Sequence, residues 1–316
     1  MDSTTDDNLC ATAVAPATVG NVAVGFDILG FSTGVDGDRV TVRRIDEPTV
    51  RIDSIDGVVT ELPTDPEQNT ATAGLLAMRR ELDIDGGFAV SIDKALPLGS
   101  GMGGSACSAA ASVVAATSLI DQQLTPLEQL RYALVGESAA TDSVHADNVA
   151  PALYGGLVLV PSTDPLEVIE LPVPTDLHTV VVRPDIRIDT RRARQVLPDR
   201  CSIADHCAQS AHLAAFIAGC YRDEVELVAR HLRDIIVEPH RAPLIPGFHR
   251  VQQAALDAGA FGASISGAGP ALFAWGTEEQ ALDIRNQMVA AFDDAGVEAT
   301  GYTGPIDRRG TYLRCE

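Results

Sequence analysis

The sequence predicts an α+β fold in two domains, and three observations support this prediction. The chain has 316 residues, which exceeds the usual size of a single domain. Hydrophobic residues make up 46% and charged residues 21%, a balance typical of globular proteins. Segments that alternate polar and apolar residues, as antiparallel strands do, are interleaved with segments of helical periodicity. We place the boundary between a first domain, residues 1–158, and a second, residues 159–316.

The first half begins with strand-like segments and one helix. The stretch ATAVAPATVGNVAV reads as a short strand broken by Pro16 and Gly20, and residues 39–59 alternate as antiparallel strands do. Residues 69–82 place apolar side chains at helical spacing, and residues 88–92 alternate again. The chain therefore enters the next stretch directly from a strand.

That next stretch, Pro97 to Leu119, is a glycine-rich turn followed by a run of alanine, serine and valine. Its glycines, which can adopt positive φ, are Gly99, Gly101, Gly103 and Gly104. The small residues that follow predict a helix, whose free N–H groups and dipole would face an anion. A strand, a glycine turn and a helix in this order predict a phosphate-binding loop.

Two common phosphate-binding motifs do not explain this loop. A Walker-type loop needs a lysine near its end, but Lys94 is the only lysine in the chain and precedes the loop. Gly99, Gly101 and Gly104 match the dinucleotide pattern G-x-G-x-x-G, but Pro97 interrupts the required context. A nicotinamide-dependent dehydrogenase is therefore disfavoured.

Polar residues around the loop are candidates for a site, although each has a structural alternative. Asn21 and Asp27 lie in the turn that contains GFDILG, where they either form the turn or face a polar substrate. Pro126 opens a helix that carries Glu137 near its end, within a small-residue stretch that suggests close packing. The segment HADNVAPALYGG follows, and its His145 is either structural or part of a polar site.

The second half repeats the mixture of strands and helices. Its predicted elements are strands within 157–171, at 179–182 and at 297–302, and helices at 203–218, 224–232 and 278–293. A further helix, TRRARQVL, is capped by Asp189 or Thr190 and carries an arginine cluster. The segment EPHRAPLIPGF predicts a proline-punctuated loop with Arg241, and FGASISGAGPALFAW is either a hairpin or a second glycine loop abutting the first.

Charge and composition exclude some partners. The net charge is −21 and the basic residues are almost all arginine, without the basic stripe that nucleic-acid binding requires. A dispersed acid surplus with almost no lysine indicates adaptation to high salt, where the Debye length falls to about 3 Å at 1 M. The six cysteines form no C-x-x-C pair and predict free thiols.

The sequence also predicts a cytoplasmic protein that does not enter a membrane. The N-terminal segment MDSTTDD is acidic and does not resemble a secretory signal. The uncharged run from Ala95 to Ile120 is long enough to span a bilayer, but its four glycines and five serines predict a buried helix behind a loop.

Three motifs in order resemble the GHMP small-molecule kinases: PATVGNVAVGFDILG, PLGSGMGGSACSAAA and SISGAGPALFAW. The segments GFDILG, HADNVAP, TRRAR and EPHRAPLIPGF narrow the resemblance to the homoserine kinases within that family. The resemblance implies a ribosomal-protein-S5-like N-terminal domain and a ferredoxin-like C-terminal domain. It covers almost the whole chain.

The resemblance also assigns site residues, with ATP and Mg²⁺ as cofactors. The positions that resemble the ATP site are Asn69, in the adenine pocket, and Pro97, Leu98, Gly99, Ser100, Gly101, Met102, Gly103, Gly104, Ser105 and Ala106. Ser105 and Glu137 resemble Mg²⁺ partners, and a hydroxyl with a carboxylate suits this ion. Gly104 stands where the family commonly has the first of two serines, which puts one hydroxyl contact to phosphate in doubt.

The acceptor site follows in the same way. The positions that resemble the amino-acid site are Asn21, Asp27, His145, Asn148, Thr190, Arg194 and Arg241. Arg194 and Arg241 would hold a carboxylate, Asp27 an ammonium group, and Asn21 would direct the hydroxyl at the γ-phosphoryl group.

The implied reaction is the ATP-dependent phosphorylation of L-homoserine to O-phosphohomoserine in threonine biosynthesis, by direct transfer without a strong general base. The main alternative is a GHMP kinase for another small hydroxy acid, such as shikimate or mevalonate. A catalytically silent nucleotide-binding regulator is a further alternative. The sequence leaves a homodimer open.

Overall fold

The computed structural model describes residues 10–139 and 144–315. Within this part of the chain, the first sheet has seven strands in the order β11-β1-β2-β4-β3, with β5 paired to β2 and β6 paired to β5. These strands are β1 (Cys10–Gly20), β2 (Leu29–Ile45), β3 (Val50–Gly57), β4 (Gly87–Lys94), β5 (Leu157–Thr163), β6 (Leu166–Leu171) and β11 (Tyr312–Leu313). The β3–β4 pair is parallel, and the other pairs are antiparallel.

Four helices accompany this sheet: α1 (Thr70–Glu81), α2 (Gly104–Thr117), α3 (Pro126–Ser138) and α4 (Ala146–Tyr154). Three of them begin where local chemistry predicts. The Asn69 side chain caps α1, and Thr125 and Glu128 form a capping box that starts α3 at Pro126. α2 begins directly after the glycine turn and is almost entirely buried, as its uncharged composition predicts.

The second sheet has four antiparallel strands in the order β10-β7-β9-β8. Its strands are β7 (His178–Pro184), β8 (Gly262–Ile265), β9 (Leu272–Gly276) and β10 (Ala299–Pro305). The accompanying helices are α5 (Thr190–Gln195), α6 (Ile203–Arg222), α7 (Val225–His231), α8 (Glu238–Arg241), α9 (Phe248–Asp257) and α10 (Glu278–Asp293). The chain order, a strand, helices, a hairpin, a helix and a final strand, is the predicted ferredoxin-like arrangement.

Aromatic side chains join the two sheets in one core. Phe31 of β2 lies 5.2 Å from Trp275 and 5.6 Å from Phe273 of β9, measured between ring centroids. Phe216 of α6 stacks on the other side of Trp275 at 5.8 Å. Because rings at these distances and tilts attract one another and all four are buried, they fix one sheet against the other.

Three sequence predictions need correction. The first strand is not broken at Pro16: β1 continues through it to Gly20, with register shifts on either side that absorb the missing N–H. Arg241 lies at the end of the short helix α8 rather than in a loop, because Pro239 suits a helix start. The short strand β11 was not predicted, and it pairs with β1 near the opposite end of the chain.

Other elements lie close to their predicted positions. The predicted helix at 278–293 coincides with α10, and Asp189 rather than Thr190 caps α5. The domain boundary between residues 158 and 159 stays a prediction. It falls inside β5, and β5, β6 and β11 all pair within the first sheet.

Within the described ranges, the cysteines form no disulfide. No helix among the described residues is long and apolar enough to cross a membrane. The long uncharged run instead forms the loop and α2, whose buried residues belong to the hydrophobic core that also includes Phe31 and Trp275.

Candidate active site

A cleft lies where the glycine loop, the start of α4, the β8–β9 turn and α5 meet. Residues that accompany the first sheet and residues that accompany the second sheet both line this cleft. The lining includes most of the predicted site residues: Asn21, Asp27, Pro97, Leu98, Gly99, Ser100, Gly101, Gly103, Gly104, Ser105, Glu137, His145, Asn148, Thr190, Arg194 and Arg241. Further lining residues are Lys94, Leu96, Asp147, Ile188, Gly267, Ala268 and Gly269. Segments far apart in the sequence therefore meet at one site.

The glycine loop has the backbone that its composition predicts. Gly99, Gly101 and Gly103 have φ values of 63°, 79° and 71°, in the left-handed region that other residues rarely adopt. Gly103 is the residue that caps α2, so the loop ends at a helix N-terminus that lines the cleft, where the first N–H groups lack partners within the helix. A side chain at Gly103 would collide with the Thr18 hydroxyl, and the N–H of Thr18 donates to the Met102 carbonyl at 3.1 Å.

The second glycine cluster satisfies both sequence interpretations. It is a hairpin turn between β8 and β9, and it also abuts the first loop. The Ser266 hydroxyl donates to the Gly101 carbonyl at 2.6 Å, and the Ala271 N–H donates to the Ser100 carbonyl at 3.2 Å. A Cβ at Gly101 would lie 2.8 Å from Gly269 backbone atoms, so the contact requires glycine.

Ser105 and Glu137 meet at the start of α2. The Ser105 hydroxyl donates to Glu137 Oε1 at 2.9 Å, and Glu137 is only 2% exposed. Burial raises the pKa of Glu137 to about 7, although the Ser105 hydrogen bond opposes the shift. Among the described residues, nothing donates to the second oxygen, Oε2. A buried carboxylate oxygen without a donor beside a hydroxyl fits a divalent cation.

Lys94, the one lysine of the chain, lies beneath the glycine loop. It is 2% exposed and forms an ion pair with Asp38, which is completely buried. Its ammonium group also donates to the Gly104 carbonyl at 2.9 Å and to the Ser108 hydroxyl at 3.0 Å. All three donors of this lysine are thus engaged by the protein, and its contacts support the loop from below.

The other half of the cleft is rich in charge. Arg194 donates to Asp27 Oδ2 at 2.6 Å, and both side chains are partly exposed. Arg241 is 5% exposed and donates to the carbonyls of Ala193 and Gly267 at 3.1 and 3.0 Å. Burial lowers the pKa of Arg241, and a guanidinium group still remains charged.

Phe26 organises the two guanidinium groups. Its ring centroid lies 5.1 Å from Arg194 Cζ and 5.0 Å from Arg241 Cζ, so both cations lie over one aromatic ring. Two cations that share a platform beside a carboxylate form a small zwitterionic surface. The sequence interpretation did not include Phe26, although it adjoins Asp27.

Asn21 and Asp147 form a buried polar network between the two halves. The Asn21 amide donates to the Gly267 carbonyl at 2.7 Å and accepts from the Asp27 N–H at 3.0 Å. Asp147 accepts the Asn21 N–H at 3.1 Å, and burial raises the pKa of Asp147 to about 7, with Asp27 adding to the shift. Asp147, which lies between His145 and Asn148 in the sequence, is not among the predicted site residues.

The remaining predicted residues occupy varied positions. His145 precedes α4, and burial lowers its pKa despite the nearby Asp27. Asn148 accepts from the Thr18 hydroxyl at 3.1 Å and lines the cleft, as does Thr190. Three predicted residues do not line the cleft: Asn69, whose amide caps α1 and donates to the Pro63 carbonyl, and the buried Met102 and Ala106.

Some lining residues were missed because their signals are long-range. Ile188 and the Gly267–Gly269 turn are far from the first glycine loop in the sequence, and the fold brings them into the cleft. The second glycine cluster was predicted as a hairpin or as a loop abutting the first, but its residues were not predicted as site residues. Lys94 had been noticed as the sole lysine, which could have marked it as structurally essential. Nothing in the sequence near Asp38 pairs it with that lysine, since 56 residues separate them.

Comparisons with known proteins agree with this architecture. Residues 69–156 match the model of the GHMP kinases N terminal domain, and residues 214–294 match that of the GHMP kinases C terminal domain. The chain is 49% identical over 304 residues to a homoserine kinase of Xylella fastidiosa (strain M12), covering 96% of this chain and 94% of that one. A homoserine kinase of Chlorobaculum tepidum is 41% identical, covering 96% and 97%.

Solved structures give the same result. The crystal structure of homoserine kinase from Cytophaga hutchinsonii superposes with a TM-score of 0.94 at 41% identity, covering 99% of each chain. A mevalonate kinase of L. major in complex with R-mevalonate superposes with a TM-score of 0.66 at 16% identity, covering 93% of this chain and 95% of that one. The latter likeness concerns the fold alone.

Proposed function

The chain belongs to the GHMP kinase family, in its homoserine kinase group, and from that premise we propose that it phosphorylates L-homoserine. ATP would be the phosphoryl donor, the side-chain hydroxyl the acceptor, and O-phosphohomoserine and ADP the products. This reaction is a step of threonine biosynthesis. The proposal combines the family with the chemistry of the cleft described above.

One observation carries the proposal: a single cleft contains two chemically different halves. One half offers backbone N–H groups of a glycine loop and a helix N-terminus, which suits phosphate. The other offers two guanidinium groups and a carboxylate, which suits a zwitterion. An enzyme that transfers a phosphoryl group to an amino acid needs both halves in one cleft, so that the two bound substrates can react.

In the nucleotide half, the residues from Pro97 to Ala106 would wrap the phosphates. Ser105 and Glu137 would hold Mg²⁺ together with phosphate oxygens, consistent with a Glu137 Oε2 that accepts no hydrogen bond from the residues the structure describes. A bound Mg²⁺ supplies neutralisation of phosphate charge. The described residues contain no cluster of three or more His, Cys, Asp or Glu that could hold a metal, so the phosphates would complete the coordination. An adenine-pocket role for Asn69 remains a weaker proposal.

In the acceptor half, Arg194 and Arg241 would bind the carboxylate of the amino acid and Asp27 its ammonium group. The existing Arg194–Asp27 ion pair supplies one charge of each sign at the place where the zwitterion needs its complement. Thr190, His145 and Asn148 would close the remaining sides. Asn21 would direct the hydroxyl at the γ-phosphoryl group.

Transfer would proceed directly, without a strong general base. Phosphoryl transfer passes through a loose transition state, so alignment and charge neutralisation supply most of the acceleration. Lys94, which could have polarised a base, is engaged by Asp38 instead. Asp147 lies in the cleft, but its Oδ2 already accepts the Asn21 N–H and its Oδ1 faces the Asn148 amide at 3.3 Å.

The second candidate is a kinase for a hydroxy acid without an amine, such as shikimate or mevalonate. Asp27 argues against it, because a carboxylate beside the acceptor would repel an acid that lacks an ammonium group. Both candidates share the nucleotide half, so only the acceptor distinguishes them.

An acceptor panel tests the proposal. ADP release is followed with homoserine, homoserine amide, 4-hydroxybutyrate, shikimate and mevalonate at several salt concentrations. We expect kcat/KM for homoserine to exceed that for the amide and for 4-hydroxybutyrate by about 10²-fold or more, since each analogue leaves a charged group of the site unpaired. Turnover of shikimate or mevalonate in place of homoserine would reject it.

Four further proposals concern the setting of the enzyme. A cytoplasmic location fits a reaction that consumes ATP, and the acid surplus fits a host with high internal salt. The exposed first half of α6 leaves a homodimer as one assembly to test by light scattering. Nucleic acid and membranes are not expected partners for a chain with a net charge of −21.

A further inference from the structure

The segment after β1 has an unusual backbone. Asn21, Val22 and Ala23 have φ values of 72°, 44° and 55°, so three consecutive residues other than glycine are left-handed. The Gly25 N–H donates to the Asn21 carbonyl at 2.9 Å, which closes the turn that contains these residues. This conformation is unfavourable for L-residues, and most of all for a β-branched residue such as Val22. The surrounding structure must therefore hold the turn in place.

Asp147 is the side chain that holds its first residue. Its Oδ2 accepts the Asn21 N–H at 3.1 Å, and Asp147 is only 2% exposed. Two glycines that face each other across β1 and β2, Gly20 and Gly30, allow this approach. A Cβ at Gly20 would lie 2.4 Å from Asn148 Nδ2 and 2.5 Å from Asp147 Oδ2, and a Cβ at Gly30 would collide with the Asp147 carbonyl. The strands are thus shaped to receive the first turn of α4.

This left-handed segment also orients Asn21 and Asp27 in the acceptor half of the cleft. Because Asn21 is left-handed, its amide reaches the Gly267 carbonyl, which also accepts from Arg241. The same amide accepts the N–H of Asp27, whose own φ is 62° and whose carboxylate pairs with Arg194. One buried carboxylate is therefore connected through a single turn to both charged sides of the proposed acceptor site.

We propose that Asp147 is a positioning residue, which holds the left-handed turn at Asn21–Ala23 and so orients Asn21 and Asp27 toward the acceptor. It acts through these residues and does not take the proton of the acceptor hydroxyl. The inference rests on the proposed kinase function for its kinetic readout and on the structure alone for its exchange readout.

A general base is the competing role for a buried carboxylate in a kinase cleft. The geometry favours positioning because Oδ2 is committed to the Asn21 N–H and Oδ1 faces the Asn148 amide. A base needs an oxygen directed at the acceptor hydroxyl. The two roles differ in what an asparagine can replace, since its oxygen accepts an N–H but does not take a proton.

The kinetic test compares Asp147→Asn with Asp147→Ala. For positioning, Asp147→Asn keeps kcat within about 10-fold, whereas Asp147→Ala raises the homoserine KM by about 10²-fold and leaves the ATP KM within about 2-fold. Asp46→Asn, which changes an exposed aspartate directly after β2, is the matched control. A kcat of Asp147→Asn reduced more than about 10³-fold with an unchanged homoserine KM would identify a base and overturn the proposal.

The second readout needs no activity. Deuterium exchange of a peptide covering residues 18–25 is measured by mass spectrometry in each variant. The proposal predicts protection in the wild type and in Asp147→Asn, and exchange at least about 10-fold faster in Asp147→Ala, because the Asn21 N–H loses its acceptor. Unchanged protection in Asp147→Ala overturns the proposal. If the wild type phosphorylates an acceptor other than homoserine, the proposed function fails while the exchange result still decides the role of Asp147.

Discussion

At the scale of single residues, the neighbours of a buried charged group determine what that group can do. Glu137 and Asp147 are equally buried, yet their neighbours differ. Glu137 keeps one oxygen without a donor among the described residues, whereas both oxygens of Asp147 face N–H groups. The first arrangement suits a cation and the second suits a backbone turn. Two carboxylates in one cleft thus receive different roles from their surroundings.

Removing the proposed metal ligands should reduce turnover. Ser105→Ala and Glu137→Gln each delete an oxygen that would hold Mg²⁺, and we expect kcat to fall by about 10²-fold for Glu137→Gln and less for Ser105→Ala. The ADP-release assay with a Mg²⁺ titration measures both. Glu61→Gln makes the same substitution at an exposed position outside the helices and strands and should leave the titration unchanged. Wild-type rates in Ser105→Ala and Glu137→Gln would refute the assignment.

The raised pKa of Asp147 predicts a slope in stability. Burial raises its pKa from 3.8 to about 7, so between these values the folded state binds a proton that the unfolded state lacks. Stability therefore falls as the pH rises through this window, by up to about 1.4 kcal/mol per pH unit from this group. Asp147→Asn removes the titrating carboxyl group. The unfolding free energy of this variant should therefore fall less steeply than that of the wild type between about pH 4.5 and 7.

Urea unfolding at several pH values measures this difference between the wild type and the variant. Asp46→Asn, which removes an exposed carboxylate directly after β2, controls for the loss of one negative charge. Parallel curves for the wild type and Asp147→Asn would show that Asp147 titrates alike in the folded and unfolded chain.

At the scale of elements, the Lys94–Asp38 pair supports the glycine loop. Lys94 ends β4, Asp38 lies within β2, and the lysine donates to the Gly104 carbonyl at the first residue of α2. Replacing Lys94 with methionine would leave Asp38 charged, buried and unpaired. We expect Lys94→Met to lower the unfolding free energy by about 3–5 kcal/mol and to raise the ATP KM.

A double-mutant cycle isolates this pair. Lys94→Met leaves the buried Asp38 charge without its partner, and Asp38→Asn removes that charge. The double variant should therefore lose less unfolding free energy than the sum of the losses in the two single variants. Arg39→Met breaks an exposed pair with Asp93 and should change stability by only about 0–1 kcal/mol. Equal costs for Lys94→Met and Arg39→Met would contradict the supporting role.

Elements with local signals were predictable from the sequence, and those that depend on pairing were not. The capping box at Thr125 fixes the start of α3, and Thr277 does the same for α10, because these contacts span only three residues. The strand β11 was missed because its two residues gain meaning only beside β1. Arg241 was placed in a loop because Pro239 was interpreted as a break rather than as a helix start.

The candidate site divides in the same way. The glycine loop and its helix follow from composition, and the acceptor residues followed from resemblance in the surrounding motifs. The role of Asp147 depends on Gly20 facing Gly30 across two strands, a register that no local pattern specifies. Likewise, the pairing of Lys94 with Asp38 requires β2 and β4 to be neighbours.

At the scale of the whole molecule, the net charge of −21 predicts a dependence on salt. Repulsion between carboxylates destabilises the compact state at low ionic strength, and the Debye length shortens from about 10 Å at 0.1 M to about 3 Å at 1 M. We expect the Tm to rise between 0.1 and 2 M KCl, by roughly 1.5 °C for each kcal/mol of relieved repulsion in a chain of this length.

Calorimetry in KCl measures this effect, with sucrose at matched osmolality as the control for solvent exclusion. A Tm that rises equally in sucrose, or that does not rise in KCl, would reject charge screening as the cause and with it the proposed adaptation to high salt.

The most direct test of the central claim is identification of the product. The protein is incubated with ATP, Mg²⁺ and L-homoserine at a salt concentration where it is folded, and the mixture is followed by phosphorus-31 NMR. We predict that the γ-phosphate signal of ATP disappears while ADP and a phosphomonoester coupled to the side-chain methylene of homoserine appear in equal amounts. Consumption of ATP only when shikimate or mevalonate replaces homoserine would contradict the account.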